Sequence, residues 1–520
     1  MRGPHNIIRL VRTGATLERT GAMQVILDAY DAPPLLRLVA RLMGKPFMWL
    51  GYKGDPAMPP ATRALTALGP AYIKCGQILS TRPDLVGDDL AVQLRVLQDK
   101  LPPFATALSK AEVAKELGVT VDDAFSEFSE PIAAASIAQV HKARLADTGE
   151  EVAVKVLRPG IERAFRKDVD AFYFAARMVE LFAPGARRLR PMDVIEHFDG
   201  VVRGELDLRL ESSAASEFAD NTKGDEGFRV PSIKWGLSGR RVMTLGWADG
   251  APLGDNDAID AAGHDRALLG ERVLRLFLMH ALRDGFFHAD MHQGNLFVKA
   301  DGTIAAVDFG IMGRINRQAR YWLAEILYGL TTGNYRRVAE IHFEAQYVPD
   351  YHSVEEFATA LRAVGEPMRG KPVSELSVGQ MLDGLFAITR DFDMQTQPHL
   401  LLLQKTMVMV EGVATMLNPR INMWDVSGPF VQDWIRDELG PEAALADGLR
   451  EQGRTLALIP DIIRRLDAQL PKPGAAPPAP PLPDVRLMWE RGEKRTAWRY
   501  ALTALAGAAA GAAILLALGG

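Results

Sequence analysis

The residues best placed to do chemistry are two carboxylates and an amide: Asp290 and Asn295, five positions apart, and Asp308, which opens an Asp308-Phe309-Gly310 triplet. Brought together by one tight hairpin, these hard oxygen donors suit Mg²⁺ and the phosphates it carries. A cation stands earlier in the chain. Val152-Ala153-Val154-Lys155-Val156 is an apolar strand pattern with one ammonium, and alternation puts Lys155 on the face of Ala153. Burying an unpaired ammonium is costly, so Lys155 needs an anionic partner. Just upstream run Ile132, Ala133, Ala134, Ala135, Ser136, Ile137, Ala138, Gln139 and Val140. Small side chains let backbone N–H groups approach phosphate oxygens. Taken alone, the run reads equally well as a helix start or a buried strand.

Two hairpins must position these groups. The first pairs residues 139–145 with 151–157 around Asp147-Thr148-Gly149, and the second pairs 295–298 with 303–307 around Asp301-Gly302. The order strand lysine, Asp-x4-Asn, Asp-Phe-Gly matches the phosphoryl-transfer template of kinases. On that template Lys155 orients phosphates, Asp290 positions the attacking hydroxyl or water, and Asn295 and Asp308 hold the metal. The expected fold is α+β: an atypical protein-kinase-like bilobal fold with an N-terminal helical extension and a C-terminal transmembrane helix. No Ala-Pro-Glu follows Gly310. The chain runs from Met312-Gly313-Arg314 into a helical pattern over 320–330, so a peptide-positioning activation segment is missing.

Three further motifs carry a family resemblance. Lys74-Cys75-Gly76-Gln77 matches a KxGQ motif, Glu205-Leu206-Asp207 an ExD motif, and residues 133–136 an Ala-rich loop. With them the chain resembles the UbiB family of atypical kinases, associated with ubiquinone biosynthesis, from about residue 61 to the second hairpin. Lys74 and Gln77 are i,i+3 on a helix and share a face; without the resemblance that face reads as a solvated one. The resemblance implies that it folds over the active site, meets Glu205 and Asp207, and occludes peptide substrates. ATP and Mg are the implied cofactors. If 205–211 is one helix, Asp207 and Glu211 share a face, which assigns Glu211 to the Lys155 ion pair and Glu205 to the KxGQ contact. The chain also departs from the family. Met291 and Gln293 replace two prolines, which loosens the catalytic loop, Ala138 stands where Gly is usual, and Gly246 stands where relatives often carry Glu.

Composition frames the rest. A chain of 520 residues, 48% hydrophobic and 24% charged, is globular and spans roughly three domain lengths. A net charge of −5 supplies no basic field for a nucleic-acid partner, and the single cysteine, Cys75, excludes an internal disulfide or a cysteine zinc site. Cys75 reads as a small filler. His288 and His292 lack the further ligands a zinc site needs. The N-terminal arginines argue against a secretory signal. Residues 501–520 carry no charge and follow Arg491, Lys494, Arg495 and Arg499 with Trp489, Trp498 and Tyr500, the flank of a membrane span entered from the cytoplasmic side. Gly507 and Gly511 offer a face for helix–helix self-association through this tail. The alternative for the tail is an Ala-rich helix docked on the protein's own core. The run 34–43, with Arg37 and Arg41, reads as a packed helix with solvated arginines rather than a membrane-surface helix.

The expected divisions are an N-terminal helical region (1–60), a KxGQ-containing helical extension (61–130), an N-lobe with a helical insertion (131–250), a C-lobe (251–470), a Pro-rich linker (471–498) and a transmembrane tail (499–520). The function expected is that of a membrane-anchored atypical kinase or ATPase that uses ATP and Mg to support ubiquinone biosynthesis. It would act on, or extract, a lipid or small molecule rather than phosphorylate proteins. The alternative is a non-catalytic nucleotide-binding scaffold that organises biosynthetic enzymes. Membrane lipids, ubiquinone precursors and enzymes of the same pathway are the expected partners, at the inner (plasma) membrane with the catalytic body on the cytoplasmic side.

Overall fold

The computed structural model describes residues 6–436, apart from parts of 30–43, the stretches 81–85, 99–102, 183–189, 370–387, 389–390 and 395–397, and several positions after 421. The described residues form two bodies: Met1–Ser216 with Ser232–Trp247, and Glu217–Pro231 with Ala248–Arg491.

The first body is built on a four-stranded antiparallel sheet, β1 (Phe125–Ala134), β2 (Ala138–Leu145), β3 (Glu151–Leu157) and β4 (Val242–Gly246), in that order. Period-two alternation in β3 buries Val152, Val154 and Val156 completely, in a core with Val113, Phe125 and Leu145. Ala153 and Lys155 take the other face. Lys155 sits mid-sheet, opposite Val140 on one side and Met243 on the other. The helices Asn6–Thr20, Pro60–Leu68 and Pro70–Ser80 form the extension, two of them starting at proline, whose fixed φ suits a first turn. The extension packs on the helix Ile161–Phe182: Tyr72 meets Phe172 edge-on at 4.9 Å, and its hydroxyl hydrogen-bonds Thr13 at 2.7 Å.

The second body carries the other hairpin, β5 to β8 being Phe286–His288, Leu296–Val298, Ile304–Ala306 and Met312–Arg314. β6 and β7 pair across the Asp301-Gly302 turn; the two-residue strands Phe228–Arg229 and Ala251–Pro252 flank them, and β8 pairs with β5. Phe218 and Phe228 reach this body's core, Phe218 ringed by His280, Phe286 and Phe309 at 4.9, 6.0 and 6.1 Å. The helix expected around 400–416 runs Pro398–Leu417 and buries Leu403, Met407, Val410 and Val413. Among the described residues no helix is long and apolar enough to cross a membrane. The linker and tail at 471–520 lie outside the described residues, as does part of the run 34–43.

The helix Arg266–Met279 passes into one π-helical turn, His280–Asp284, and stops at Gly285, whose φ of 65° is left-handed. A Cβ there would fall 2.5 Å from the Ile315 carbonyl oxygen, while the Gly285 carbonyl accepts the Ile315 N–H at 2.8 Å. Gly285→Ala should therefore cost about 2 kcal/mol or more, strain and clash combined, read as a lower urea midpoint.

Candidate active site

In the first body the Lys155 ammonium meets the Glu211 carboxylate at 2.7 Å, with side chains 16% and 9% exposed. Glu211 lies in the first turn of the helix Leu208–Asn221, where unpaired N–H groups favour a negative charge. The partner that a buried strand ammonium requires is thus the one expected. Lys74, on the helix Pro70–Ser80, pairs with Glu205.

The route to those pairings differs from a single helix over 205–211. The helix Pro191–Glu205 ends as the Leu206 N–H bonds the Val202 carbonyl, and a new helix starts at Leu208. Asp207 sits at the break and accepts from the Arg209 N–H at 3.2 Å and from its Nε and Nη2 at 2.8 and 2.6 Å. Those hydrogen bonds hold its carboxyl below the usual range. Asp207 is therefore spent on starting a helix, and the expected contact with the KxGQ face is corrected. The same applies to Gln77, whose amide donates to the Leu97 carbonyl at 2.8 Å and ties two segments of the extension. Gly76 is required beside it, since a Cβ would fall 2.4 Å from Leu97 Cδ1. Cys75 is buried and its thiol is pushed up to about 12 by burial, as befits a filler.

The expected cofactor run 132–140 divides on folding. Ile132, Ala133 and Ala134 end β1, Ala138, Gln139 and Val140 begin β2, and the turn proper is Ala135, Ser136 and Ile137. The Gln139 side chain is 1% exposed; it accepts the Phe104 N–H at 2.9 Å and donates to the Phe104 carbonyl at 3.1 Å and to Ser109 Oγ at 2.8 Å. Its amide is committed internally, a correction to reading it as a direct ligand group.

In the second body His288 organises the catalytic loop. Its Nε2–H donates to the Val307 carbonyl at 3.0 Å, which leaves Nδ1 to accept the Asp290 N–H at 3.1 Å. Asn295 Nδ2 donates to the Asp290 carbonyl at 2.9 Å, and the Asn295 carbonyl accepts the Val307 N–H at 2.9 Å. The Asn295 amide oxygen is left as a donor atom of the kind a hard cation takes. Asp308 adopts φ 61°, a left-handed conformation that aspartate tolerates and that clusters at functional sites. The expected loosening at Met291 is not what the structure shows. Met291 is 2% exposed, and Thr406, wholly buried, donates to the Ala289 carbonyl at 3.2 Å. Burial of Met291 and this hydrogen bond from the Pro398–Leu417 helix thus hold the loop where proline would have stiffened it.

Sequence reading missed one cluster. Arg283 Nη1 donates to Asp225 at 2.6 Å and its Nε to Asp284 at 2.6 Å, and His280 Nε2 meets Asp225 at 3.1 Å. Burial opposes ionisation of Asp225, but the hydrogen bonds from His280 and Arg283 hold its carboxyl at about 2. Asp225, His280 and Asp284 approach as metal ligands would, yet a guanidinium already fills the charge between them.

Burial lowers the His288 pKa from its ordinary 6.5. The unfolded chain then takes up a proton that the native state refuses, so this contribution to stability is complete above pH 6.5 and is lost as the pH falls below it. His288→Gln keeps a donor and an acceptor without titrating. It should reduce the dependence of the urea midpoint on pH between 6.5 and 5 by one proton's worth.

Comparison with known proteins places the chain in a family. Residues 96–342 match the ABC1 atypical kinase-like domain and residues 361–422 the UbiB helical domain. A protein of Azotobacter vinelandii named probable protein kinase UbiB is 39% identical over 89% of this chain and 87% of its own length. Its namesake in Marinobacter nauticus is 40% identical over 74% of this chain and 71% of its own. A solved structure, Rv3197 with erythromycin from Mycobacterium tuberculosis, aligns with a TM-score of 0.48 at 25% identity, over 75% of this chain and 97% of that one. The chain belongs to the UbiB family of ABC1-type atypical kinases.

Proposed function

We propose that this chain is a membrane-anchored ATPase or small-molecule kinase serving ubiquinone biosynthesis, with Mg²⁺ and ATP as cofactors. The observation that carries the reading is the Lys155–Glu211 pair at 2.7 Å, the arrangement a phosphate-orienting lysine needs. Asn295 and Asp308 offer an amide oxygen and a carboxylate, a donor set that fits Mg²⁺. Bound there, the metal would neutralise charge on the transferring phosphoryl group. Lys155 orients the phosphates, and Glu211 keeps its ammonium in place. Asp290, whose main chain is fixed by His288 and Asn295, orients the attacking hydroxyl or water. The ion pair between Lys74 and Glu205 holds the KxGQ helix against the ExD segment.

A lipid or small-molecule acceptor is favoured over a protein by the short path of the chain after Gly310. Only β8 intervenes before Asn316 caps the helix Arg317–Thr332, its side chain accepting the Ala319 N–H at 2.8 Å. That leaves little chain to dock a peptide. Membrane lipids, ubiquinone precursors and enzymes of the same pathway are the proposed partners, and the tail 499–520, uncharged from residue 501 onward, is the proposed anchor at the inner membrane.

Asp308→Asn should lower ATP-dependent phosphate release, measured with and without vesicles or phenolic headgroup compounds, by more than about a hundredfold, since even outer-shell losses around a metal cost up to that much. Wild-type turnover in that variant would overturn the reading; nucleotide binding with no release in either protein would favour the scaffold. A chain cut after Leu470 should leave the membrane fraction yet keep its nucleotide-dependent thermal stabilisation. Persistent membrane association would move the anchor elsewhere.

A further inference from the structure

The turn between β1 and β2 is fastened by more than strand pairing. The Ala135 N–H donates to the Ala138 carbonyl at 2.8 Å and closes the turn. The Ala135 carbonyl then accepts two N–H groups of Arg158, Nε at 3.2 Å and Nη2 at 3.0 Å, while the Arg158 main-chain N–H donates to the Ile137 carbonyl at 2.8 Å. The guanidinium lies 5.4 Å from the centre of the Phe104 ring, and Phe104 is gripped at both its N–H and its carbonyl by the Gln139 amide. The carbonyls of Ala135, Ile137 and Ala138 are therefore all engaged. Among the described residues, the N–H groups of Ser136 and Ile137 donate to no protein acceptor. Consecutive free donors on a turn with three of its carbonyls engaged make an anion-seeking stretch of backbone.

The Ala135 carbonyl and the Ser136 N–H belong to one peptide plane and point in opposite directions. Whatever holds the oxygen also aims the N–H. Released, that peptide could flip and present a carbonyl oxygen where a phosphate is wanted. We propose that Arg158 is a positioning residue for phosphate-bearing ligands, holding the Ala135 carbonyl so that the Ser136 N–H stays directed at a phosphate. The inference rests on the reading of this turn as the nucleotide loop.

The test compares ADP and adenosine binding, with Mg²⁺, to the full chain and its variants. Arg158→Leu should weaken ADP about tenfold, the scale of a hydrogen bond to a charged group, and leave adenosine unchanged. Arg158→Lys should recover only part of the loss, because an ammonium replaces the charge but not the paired N–H groups. Should Arg158→Leu fail to fold, Phe104→Leu removes the ring beneath the guanidinium and should give a smaller loss of the same selectivity. The proposal is overturned if ADP binding is unchanged, if both ligands weaken equally, or if lysine restores binding in full, which would make the effect one of charge alone. A wild-type chain that binds neither ligand would instead overturn the nucleotide reading, and this inference with it.

Discussion

An ammonium in the middle of a β-sheet is tolerable only with a carboxylate beside it, and much of the first body's architecture stems from that requirement. Lys155 stands between β2 and β4, where its strand neighbours are buried valines. Removing either partner of a buried pair leaves the other charge stranded. The carboxylate must come from a helix whose first turn reaches the sheet. The chain supplies one by stopping a long helix at Glu205 and starting another at Leu208. Glu205 and Glu211 thereby serve two different lysines from either side of a break that Asp207 stabilises.

The second body solves a different problem, that of stiffness without proline. The catalytic loop gains its rigidity from a neutral, buried imidazole, an asparagine that bonds back to the Asp290 carbonyl, and a threonine from a distant helix. Each tie goes to the backbone, which leaves the Asp290 carboxylate outside this bracing. Asp308 reaches its place through a left-handed backbone conformation rather than by a strand's natural direction.

Much of this was legible in the sequence because it is local. Period-two alternation around Lys155 and the Asp301-Gly302 turn each specify a hairpin within a few residues. The same locality explains the failures. Gly204 stands just ahead of Glu205-Leu206-Asp207, but a lone glycine inside a helical pattern does not by itself fix a break, so periodicity ran straight through it. The interruption is visible only once the Asp207 carboxylate is seen on Arg209. Gln77 and Gln139 could not be placed from sequence because their partners, the Leu97 and Phe104 main chains, lie 20 and 35 residues away. A buried amide satisfied by distant backbone leaves no pattern. Nor does the Arg283 cluster, whose Asp225 is 58 residues from its guanidinium.

The path of the chain has a consequence for how the two bodies can be dissected. The second body borrows Glu217–Pro231 from ahead of the first body's last strand, and that loan contains Phe218, Asp225 and Phe228. A cut after Trp247 looks like a clean seam along the sequence. It would strip the C-terminal fragment of both phenylalanines that surround His280 and of Asp225, one of the two carboxylates that pair with Arg283. Such a fragment would carry an emptied aromatic pocket around a His280 that has lost its carboxylate, with Arg283 left to Asp284 alone. The two bodies are topologically interleaved, and neither corresponds to a contiguous stretch that could be exchanged between relatives as a module.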